Sequence, residues 1–509
     1  MPSTSSSSSP STPSPDLPAT LHDPKSPFYQ QVSLRRAIIA SYWTIILLAV
    51  PLWWYTTSIE RLALPSGRVQ QLAQHSLELP VSICVEGPRI PFIDKIQVQL
   101  SKQISQDPQR WKGIAPRLFG STDCEKSSGN KVYSVKFTST TGTSIHHRQL
   151  HFPPNTAPST IVEVLSSLLV PYSSSRDSKH RIVQYAPHYR LAFSLLNEDA
   201  AAGDVVKDWN IQAELRNYIN PITRRLGALH NFTVESQVQF HAPLAFPPRP
   251  LDHSWGITPA DLTVFVNSAE WTLSSSSSND PVLHFILFIP SAERRPLVIL
   301  TDTEGTVSPS SAFLVPQWGG IVIHNPTSIS SSGTLPDHDV STVFAAFATQ
   351  FQSLLGVAAL PRGVHAPEGL SAWQLDALTR RRTLENAQGS QDTLASIVKL
   401  VDQIENMPVG ADVRDDVEDA LAALQDMRDA APVSLAQAFA RSATALGLAS
   451  RAFFNPGMLA LLYFPAEHTY AVYTPLFASA LIPLVVAALR EFMAWKRERR
   501  EAALMKAAP

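Results

Sequence analysis

Cysteine is almost missing from this sequence: Cys84 and Cys124 are the only two in 509 residues. Two thiols are too few for a disulfide-dense secreted scaffold, and unaided they cannot assemble a thiolate zinc site or an iron–sulfur cluster. An excess of either charge is missing as well. Lys plus Arg number 41 against 43 for Asp plus Glu, so no basic field favours nucleic acid and no acidic field marks a solvating polymer. Repeats of fixed period are absent, and so are the GxSxG, HExxH, Walker A and Rossmann fingerprints, which removes the commonest motif-bearing enzymes. No cofactor, metal centre or catalytic set is expected on these grounds.

What the chain does have is two long uncharged runs. From Ala37 to Tyr55, AIIASYWTIILLAVPLWWY, 19 residues pass without a charge, close to the roughly 20 a helix needs to cross the hydrocarbon core. Arg35 and Arg36 precede it, so a transmembrane helix is expected over residues 35–55. Tyr42, Trp43, Trp53, Trp54 and Tyr55 lie near its ends, where amphipathic rings favour the headgroup level. A polar stretch of more than thirty residues stands before the run and no small-residue cleavage site follows, so it reads as a retained anchor and not as a signal peptide. The second run, Tyr470 to Leu489, contains Pro475 and Pro483, which a membrane helix tolerates better than a soluble one. Residues 470–489 are the second expected span. Arg490, Lys496, Arg497, Arg499, Arg500 and Lys506 follow it, against Arg451 alone in the 20 residues before. The positive-inside rule makes that end cytoplasmic, and with two spans the N-terminal tail joins it. Because the C-terminal stretch is basic, the second run is no attachment signal for a glycosylphosphatidylinositol (GPI) anchor on this chain.

Residues 1–34, rich in Ser, Thr and Pro, read as a disordered cytoplasmic tail, since almost nothing in them can be buried. Residues 490–509 form a basic cytoplasmic tail. The body falls in two parts, both luminal by the topology above. Residues 56–340 mix strand-like runs at Val81–Val85, Lys131–Thr138, Tyr189–Leu196, Phe232–Phe240, Leu262–Val266, Val282–Ile289, Pro296–Thr301 and Gly320–His324 with helical stretches near Thr160–Leu169 and Trp209–Leu226, an α/β or mixed α+β pattern. The serine run at Ser274–Asn279 reads as an exposed loop tip. Residues 341–469 are helical: Leu394, Ile397, Val398, Val401 and Ile404 keep a 3.6 period, as do Val413, Val417, Leu421, Leu424 and Met427. Ser371 with Gln374, and Ser434 with Gln437, have capping-box spacing, and Asp412 suits an N-cap.

Three strings invite a chemical reading. Asp302, Thr303, Glu304, Gly305 and Thr306 follow an apolar strand and resemble the aspartyl-nucleophile motif of haloacid-dehalogenase-type phosphatases. Glu304 replaces the second Asp, however, and the acidic element Gly203, Asp204, Asp208 precedes the nucleophile instead of following it, so a turn rich in Asp and Gly is the plainer account. His146, His147 and His151 supply imidazoles. Their surroundings are strand-like, and no carboxylate or Cys completes a ligand set. Cys84 has neither a glycine elbow nor a partner His. Two free structural cysteines are the default, with a Cys84–Cys124 disulfide open as the alternative an oxidising lumen would permit. Asn231, Phe232, Thr233 is the only acceptable N-glycosylation sequon, because Pro326 disqualifies Asn325.

At both membrane ends the sequence resembles the PIG-S family, a subunit of the GPI transamidase of the endoplasmic reticulum. The resemblance is carried by PLWWYTTSIERLALP, Pro51 to Pro65, and by AFFNPGMLALLYFPAEHTYAVYTPLF, Ala452 to Phe477. It extends to the order of tail, span, large body, span and basic tail. What it implies is an accessory scaffold in the endoplasmic reticulum membrane. The family's complex cleaves a precursor's C-terminal signal and joins the new carboxyl to a GPI lipid, using a Cys and a His that belong to the PIG-K subunit. No catalytic residue carries over to this chain. PIG-K, PIG-T, PIG-U and the GPI-attachment GAA subunit are the implied partners, with membrane lipid and without nucleic acid. The competing expectation is a two-pass luminal tether or lipid-handling scaffold outside transamidation. Phe453, Tyr463, Phe464 and Pro465 read as interfacial packing more readily than as partner contacts.

Overall fold

The computed structural model describes residues 31–57, 60–74, 77–87, 90–124, 132–139, 142–172, 181–273, 278–302, 304–327, 329, 333–404, 407–459 and 466–507. Most of the expected N-terminal tail, the tip of the serine loop at 274–277, and Thr303, Tyr463, Phe464 and Pro465 fall outside these residues. Two compact units emerge, one holding both chain ends with residues 401–411 and 454–509, the other holding residues 64–400 and 412–453.

The first helix, α1 (Val32–Thr57), belongs to the smaller unit, and the larger unit begins after it. A short helix α2 (Ser66–Gln74) leads into β1 (Leu79–Glu86), α3 (Ile90–Gln106), β2 (Ile114–Ser121), β3 (Tyr133–Phe137), β4 (Thr143–His146), β5 (Gln149–Phe152) and α4 (Pro158–Leu169). These strands form a sheet in the order β14-β4-β5-β3-β1-β2, where β14 (Val364–His365) returns from much later in the chain. β1 runs parallel to both β2 and β3, and β4 turns back antiparallel on β5. Alternation on β1 sends Val81, Ile83 and Val85 into one core with Ile96 and Leu100 of α3 and with Ile161, Val162, Leu165, Leu168 and Leu169 of α4, the helical spacing that lays one apolar stripe on a sheet.

A second sheet, ordered β12-β13-β10-β6-β7, is built from β6 (His188–Asn197), β7 (Asn231–Gln239), β10 (Val282–Ile289), β12 (Ala312–Val315) and β13 (Gly319–Ile323). Between β6 and β7 the chain forms α5 (Ile211–Glu214), a π turn over Leu215–Ile219 and α6 (Asn220–Leu226). β6, β7, β10 and β13 are mutually parallel and β12 closes one edge antiparallel. β10 is apolar at nearly every position because both faces are covered. Leu283, Phe285, Leu287 and Ile289 meet α8 (Asp337–Leu355) through Phe344, Phe347 and Phe351. Ile286 and Phe288 face the opposite way, toward Phe265 and Trp271 and a small sheet of β8 (Arg249–Pro250), β9 (Trp255–Ile257) and β11 (Leu297–Ile299). α8 ends on Gly356 at φ 83°, the left-handed conformation that glycine adopts without a Cβ penalty.

One expected strand is absent. Leu262–Val266 follows a helical turn, α7 (Pro259–Leu262), because Thr258 and Asp261 form a reciprocal capping box around Pro259. Beyond α8 the helical section comprises α9 (Ala372–Gln403), α10 (Ala411–Ala430) and α11 (Leu435–Phe453). Ser371 and Gln374 cap α9 reciprocally, with Ser371 N donating to Gln374 Oε1 at 3.0 Å and Gln374 N donating to Ser371 Oγ at 3.3 Å. Gln437 N donates to Ser434 Oγ at 3.4 Å. Asp412 lies inside the first turn of α10 and not at its N-cap, since the helix already begins at Ala411; a carboxylate there still meets the positive end of the helix. The described residues thus form mixed α/β sheets, two larger and one small, with a helical section after them and an apolar helix near each end.

Candidate functional site

In the smaller unit, α12 (Pro456–Leu459) precedes α13 (Ala466–Ala507). α1 and α13 are each long and apolar enough to cross a membrane. They run antiparallel and are fastened at two levels. At one level Arg35 and Arg36 reach Glu491, the second at 3.1 Å, and Arg36 also meets Glu498 at 2.8 Å. At the other, Trp53 packs edge-on against Tyr473 and Phe477, with ring centroids 5.7 and 5.2 Å apart. Arg35 to Trp53 and Tyr473 to Glu491 are equal intervals in sequence, so at 1.5 Å per residue both helices separate the two levels by about 27 Å. That matches the hydrocarbon thickness of a thin bilayer, with charges at one boundary and aromatic rings at the other. Just past α1, Leu62 N donates to Val409 O and Val409 N donates to Glu60 O, at 3.0 and 2.9 Å, while Arg61 donates to Val401 O at 2.6 Å. The chain leaving α1 is thereby pinned to Val401 and Val409 of the same unit.

The residues that invited chemistry are engaged otherwise. Asp302 Oδ1 accepts the backbone N–H groups of Glu304, Gly305 and Thr306, each at 3.0 Å. Its carboxyl is held below the usual range, by the Thr306 side chain first and these N–H groups next. It organises its own turn. Asp204 sits at φ 48° with its carboxylate 3.6 Å from Arg295, and Asp208 Oδ1 accepts from Trp209 N, so one acid of the element answers an arginine and the other the local backbone.

His147 does not share a strand face with His151, because it occupies the β4–β5 turn at φ 53° and points to Glu368 at 3.4 Å. His146 and His151 do meet across the hairpin, centroids 5.3 Å apart. Burial, then the charges of His146 and Lys136, hold the His151 imidazole below its ordinary pKa. Among the described residues no group of three or more His, Cys, Asp or Glu could hold a metal ion.

Cys84 and Cys124 are joined in a disulfide across a sequence separation of 40, which replaces the default of two free thiols. Parallel pairing sets Cys84 opposite Phe119 on β2, and the chain leaving β2 brings Cys124 to a Cα–Cα distance of 5.8 Å, within disulfide reach. Asn231 and Thr233 are exposed on the edge strand β7. Asn325 is used structurally, accepting from Leu297 N and donating to Leu297 O at 2.8 and 2.9 Å.

Sequence reasoning missed a crevice of about 670 Å³ where β1 and β3 part, lined by Glu86, Phe92, Thr122, Lys136 and Phe137 among others. Parallel sheets open such crevices where strand order reverses; the order itself comes from long-range pairing that no local pattern encodes. Glu86 and Lys136 face each other there at 3.4 Å and largely cancel.

The model of the family PIG-S, phosphatidylinositol-glycan biosynthesis class S protein, matches residues 40–498. A Rattus norvegicus protein named GPI-anchor transamidase component PIGS is 28% identical, over 92% of this chain and 97% of its own length. Its Mus musculus counterpart is 33% identical over 66% of this chain and 64% of its own. The Schizosaccharomyces pombe GPI transamidase component PIG-S homolog is 28% identical, over 92% of this chain and 86% of its own.

Proposed function

The chain belongs to the PIG-S family, and on that premise we propose that it works as a non-catalytic subunit of the GPI transamidase in the endoplasmic reticulum membrane. It is a GPI transamidase subunit by its relatives, whose names carry that component role over 92% of the present sequence. The finer reading is ours. α1 and α13 both cross the bilayer, the basic residues after the second span hold both termini in the cytoplasm, and the sheets and helical section face the lumen. Disulfide pairing of Cys84 with Cys124 accords with an oxidising compartment, and a glycan on Asn231 accords with its exposure.

The observation that carries the accessory role is the near full-length family match combined with site residues already committed to structure: Cys84 is bonded to Cys124, and Asp302 to its own turn. A Cys and a His on PIG-K would perform the cleavage and transfer, with PIG-T, PIG-U and the GAA subunit completing the assembly. This chain contributes position. Paired spans anchor a bulky body to the membrane, so that protease, precursor and lipid meet with less lost orientational freedom.

The test is quantitative copurification of the tagged full chain in mild detergent. Recovery of a stoichiometric caspase-like cysteine protease with several multispanning proteins is expected, and transamidation should survive Asp302→Asn. Purification alone, or with unrelated partners, would overturn the reading.

A further inference from the structure

Every open sheet ends in strands whose outer N–H and C=O groups lack a neighbour, and each such edge invites a second chain to pair with it. Among the described residues, all of the sheet edges but one are blunted. β14, β8, β11 and β12 are two to four residues long. β2 is longer, but Leu79 N donates to Gly113 O, so the odd-numbered residues of β2 turn toward β1 and Pro116 stands on the open side, where it has no N–H to offer. β7 is the exception. It has nine residues, NFTVESQVQ, with neither Pro nor Lys among them, and its one charge, Glu235, is answered by Arg190 at 3.0 Å.

Register shows what β7 offers. Asn231 N donates to Pro187 O at 2.8 Å and β7 runs parallel to β6, so the odd-numbered residues of β7 direct their N–H and C=O groups to β6, while Phe232, Val234, Ser236 and Val238 direct theirs away. No strand pairs with that side among the described residues. These four residues span about 20 Å of open edge. The strand is held firmly enough to serve as a template: Phe232 and Val238 pack against the core that α8 shares, and Gln237 Nε2 donates to Ser194 Oγ at 3.0 Å. Thr233, Val234 and Ser236 are exposed, Val234 by 43%. Asn231, exposed at the start of the same strand, opens the only sequon in the sequence.

A second copy of the chain fits this edge. Laid antiparallel on itself about Glu235, β7 sets Val234 against Ser236 and Phe232 against Val238, so the outward groups of each copy meet those of the other in the two-fold arrangement that closed dimers favour. The same register places Asn231 of each copy opposite Gln239 of the other, at both ends of the pairing. An oligosaccharide on Asn231 is bulky and solubilising, and there it stands in the way of the incoming strand. We propose that an N-glycan on Asn231 guards the open edge of β7 and prevents strand pairing between copies of this chain. The inference rests on the luminal placement under which Asn231 carries a glycan.

Two differently tagged copies of the full chain, coexpressed in eukaryotic cells and extracted in mild detergent, test it: one tag is captured and the other quantified. Endoglycosidase H should lower the mass of the parent and not that of Asn231→Gln, which reports on the glycan by itself. A parent without that change would refute the luminal glycan and the guard together. Where the parent is glycosylated, cocapture of the second tag should rise several-fold in Asn231→Gln and in Thr233→Ala. It should rise likewise when the folded parent is trimmed by the enzyme, a step that a sugar needed only during folding would not notice. Thr233→Ser keeps the sequon and should match the parent. Asn231→Gln combined with Val234→Lys should return to the parent's level, because a lysine on an edge strand disfavours a second strand. Cocapture that trimming of a glycosylated parent leaves unchanged overturns the guard while the luminal placement stands, and so does a rise in Asn231→Gln that Val234→Lys fails to reverse.

Discussion

Asp376, near the start of α9, is the residue on which the junction between the first sheet and the helical section depends. It is 7% exposed and its carboxylate accepts from Tyr133 Oη at 2.6 Å and from Arg148 Nε and Nη2 at 2.8 and 3.0 Å. Arg380, 2% exposed and one turn along, donates to Tyr133 Oη at 2.8 Å. One carboxylate thus balances two guanidinium groups, and burial holds the Tyr133 phenol well above its ordinary pKa, so the phenol stays a neutral relay between them. Asp376→Asn keeps the volume and removes the charge. Breaking a buried ionic group by removing one partner costs about 3–5 kcal/mol. The lower end applies here, because Arg148 is 37% exposed on its side chain and can rehydrate, whereas Arg380 cannot. A loss of about 3 kcal/mol corresponds to roughly a hundredfold rise in the open population. Amide hydrogen exchange on the full chain reads it locally, at β3 and the first turns of α9, without assuming two-state unfolding. Adding Arg380→Met should restore part of the protection, since the stranded charge then disappears. Protection in Asp376→Asn that stays within about 1 kcal/mol of the parent would refute the reasoning.

Acid should destabilise the sheet-bearing unit between about pH 6.5 and 4. His230 and His284 are each buried and each lowered to about 4, by burial first. Above 6.5 both are neutral in either state; as pH falls the unfolded chain takes up protons that the folded one refuses, at up to about 3 kcal/mol per residue. Melting scans from pH 7 to 4 should therefore slope downward, and His284→Asn should flatten them. Replacing both cysteines by Ser should cost about 4 kcal/mol in the chain-entropy account of so long a loop, and dithiothreitol, which lowers the parent's melting temperature, should leave the double variant unchanged. Gly320→Ala should cost about 1–3 kcal/mol by overpacking, because a Cβ there meets the Gln350 amide that ties α8 to Phe313 O and Ile321 O; a neutral melting temperature would contradict that contact. In the paired helices, Glu491→Gln should reduce disulfide crosslinking between cysteines placed at Trp53 and Tyr473 several-fold, as the far fastening keeps the near one in register. Equal crosslinking would make the two levels independent.

Local pattern was enough wherever one residue class decided the outcome. Val282–Ile289 is so uniformly apolar that only a strand covered on both faces accommodates it, and the stripe from Val413 to Met427 places α10 without further help. Leu262–Val266 misled because its β-branched residues speak for a strand, while the decisive signal, Thr258, Pro259 and Asp261, lies just upstream in the grammar of helix starts. β2 escaped notice because it is only half-buried at most positions, and β4, β5 and β14 because each is four residues or fewer. Strand order, and with it the crevice between β1 and β3, depends on pairings across tens of residues that no window along the chain contains.

The same distinction explains which sites were legible. Arg35, Arg36 and the basic stretch after Leu489 are topology signals in the sequence, whereas Glu491 stands there as one acid among bases. Only the pairing of α1 with α13 shows that it answers both arginines. Asp376 was invisible for a similar reason: a carboxylate on a helix in a charged sequence is ordinarily a solvated surface group, and its partners lie more than two hundred residues away. In both cases the informative residue is an acid placed where solvent is scarce, and scarcity of solvent is a property of the fold. The cysteines carried the opposite lesson. Their count limited what they could build, but the choice between two thiols and one bond was made by β1 and β2 running side by side, which brings Cys124 back over Cys84. A bond made that way locks the first sheet at the strand pair beside the crevice, while the Asp376 junction ties that same sheet to the helical section, so two links between residues far apart in sequence fix one unit from within.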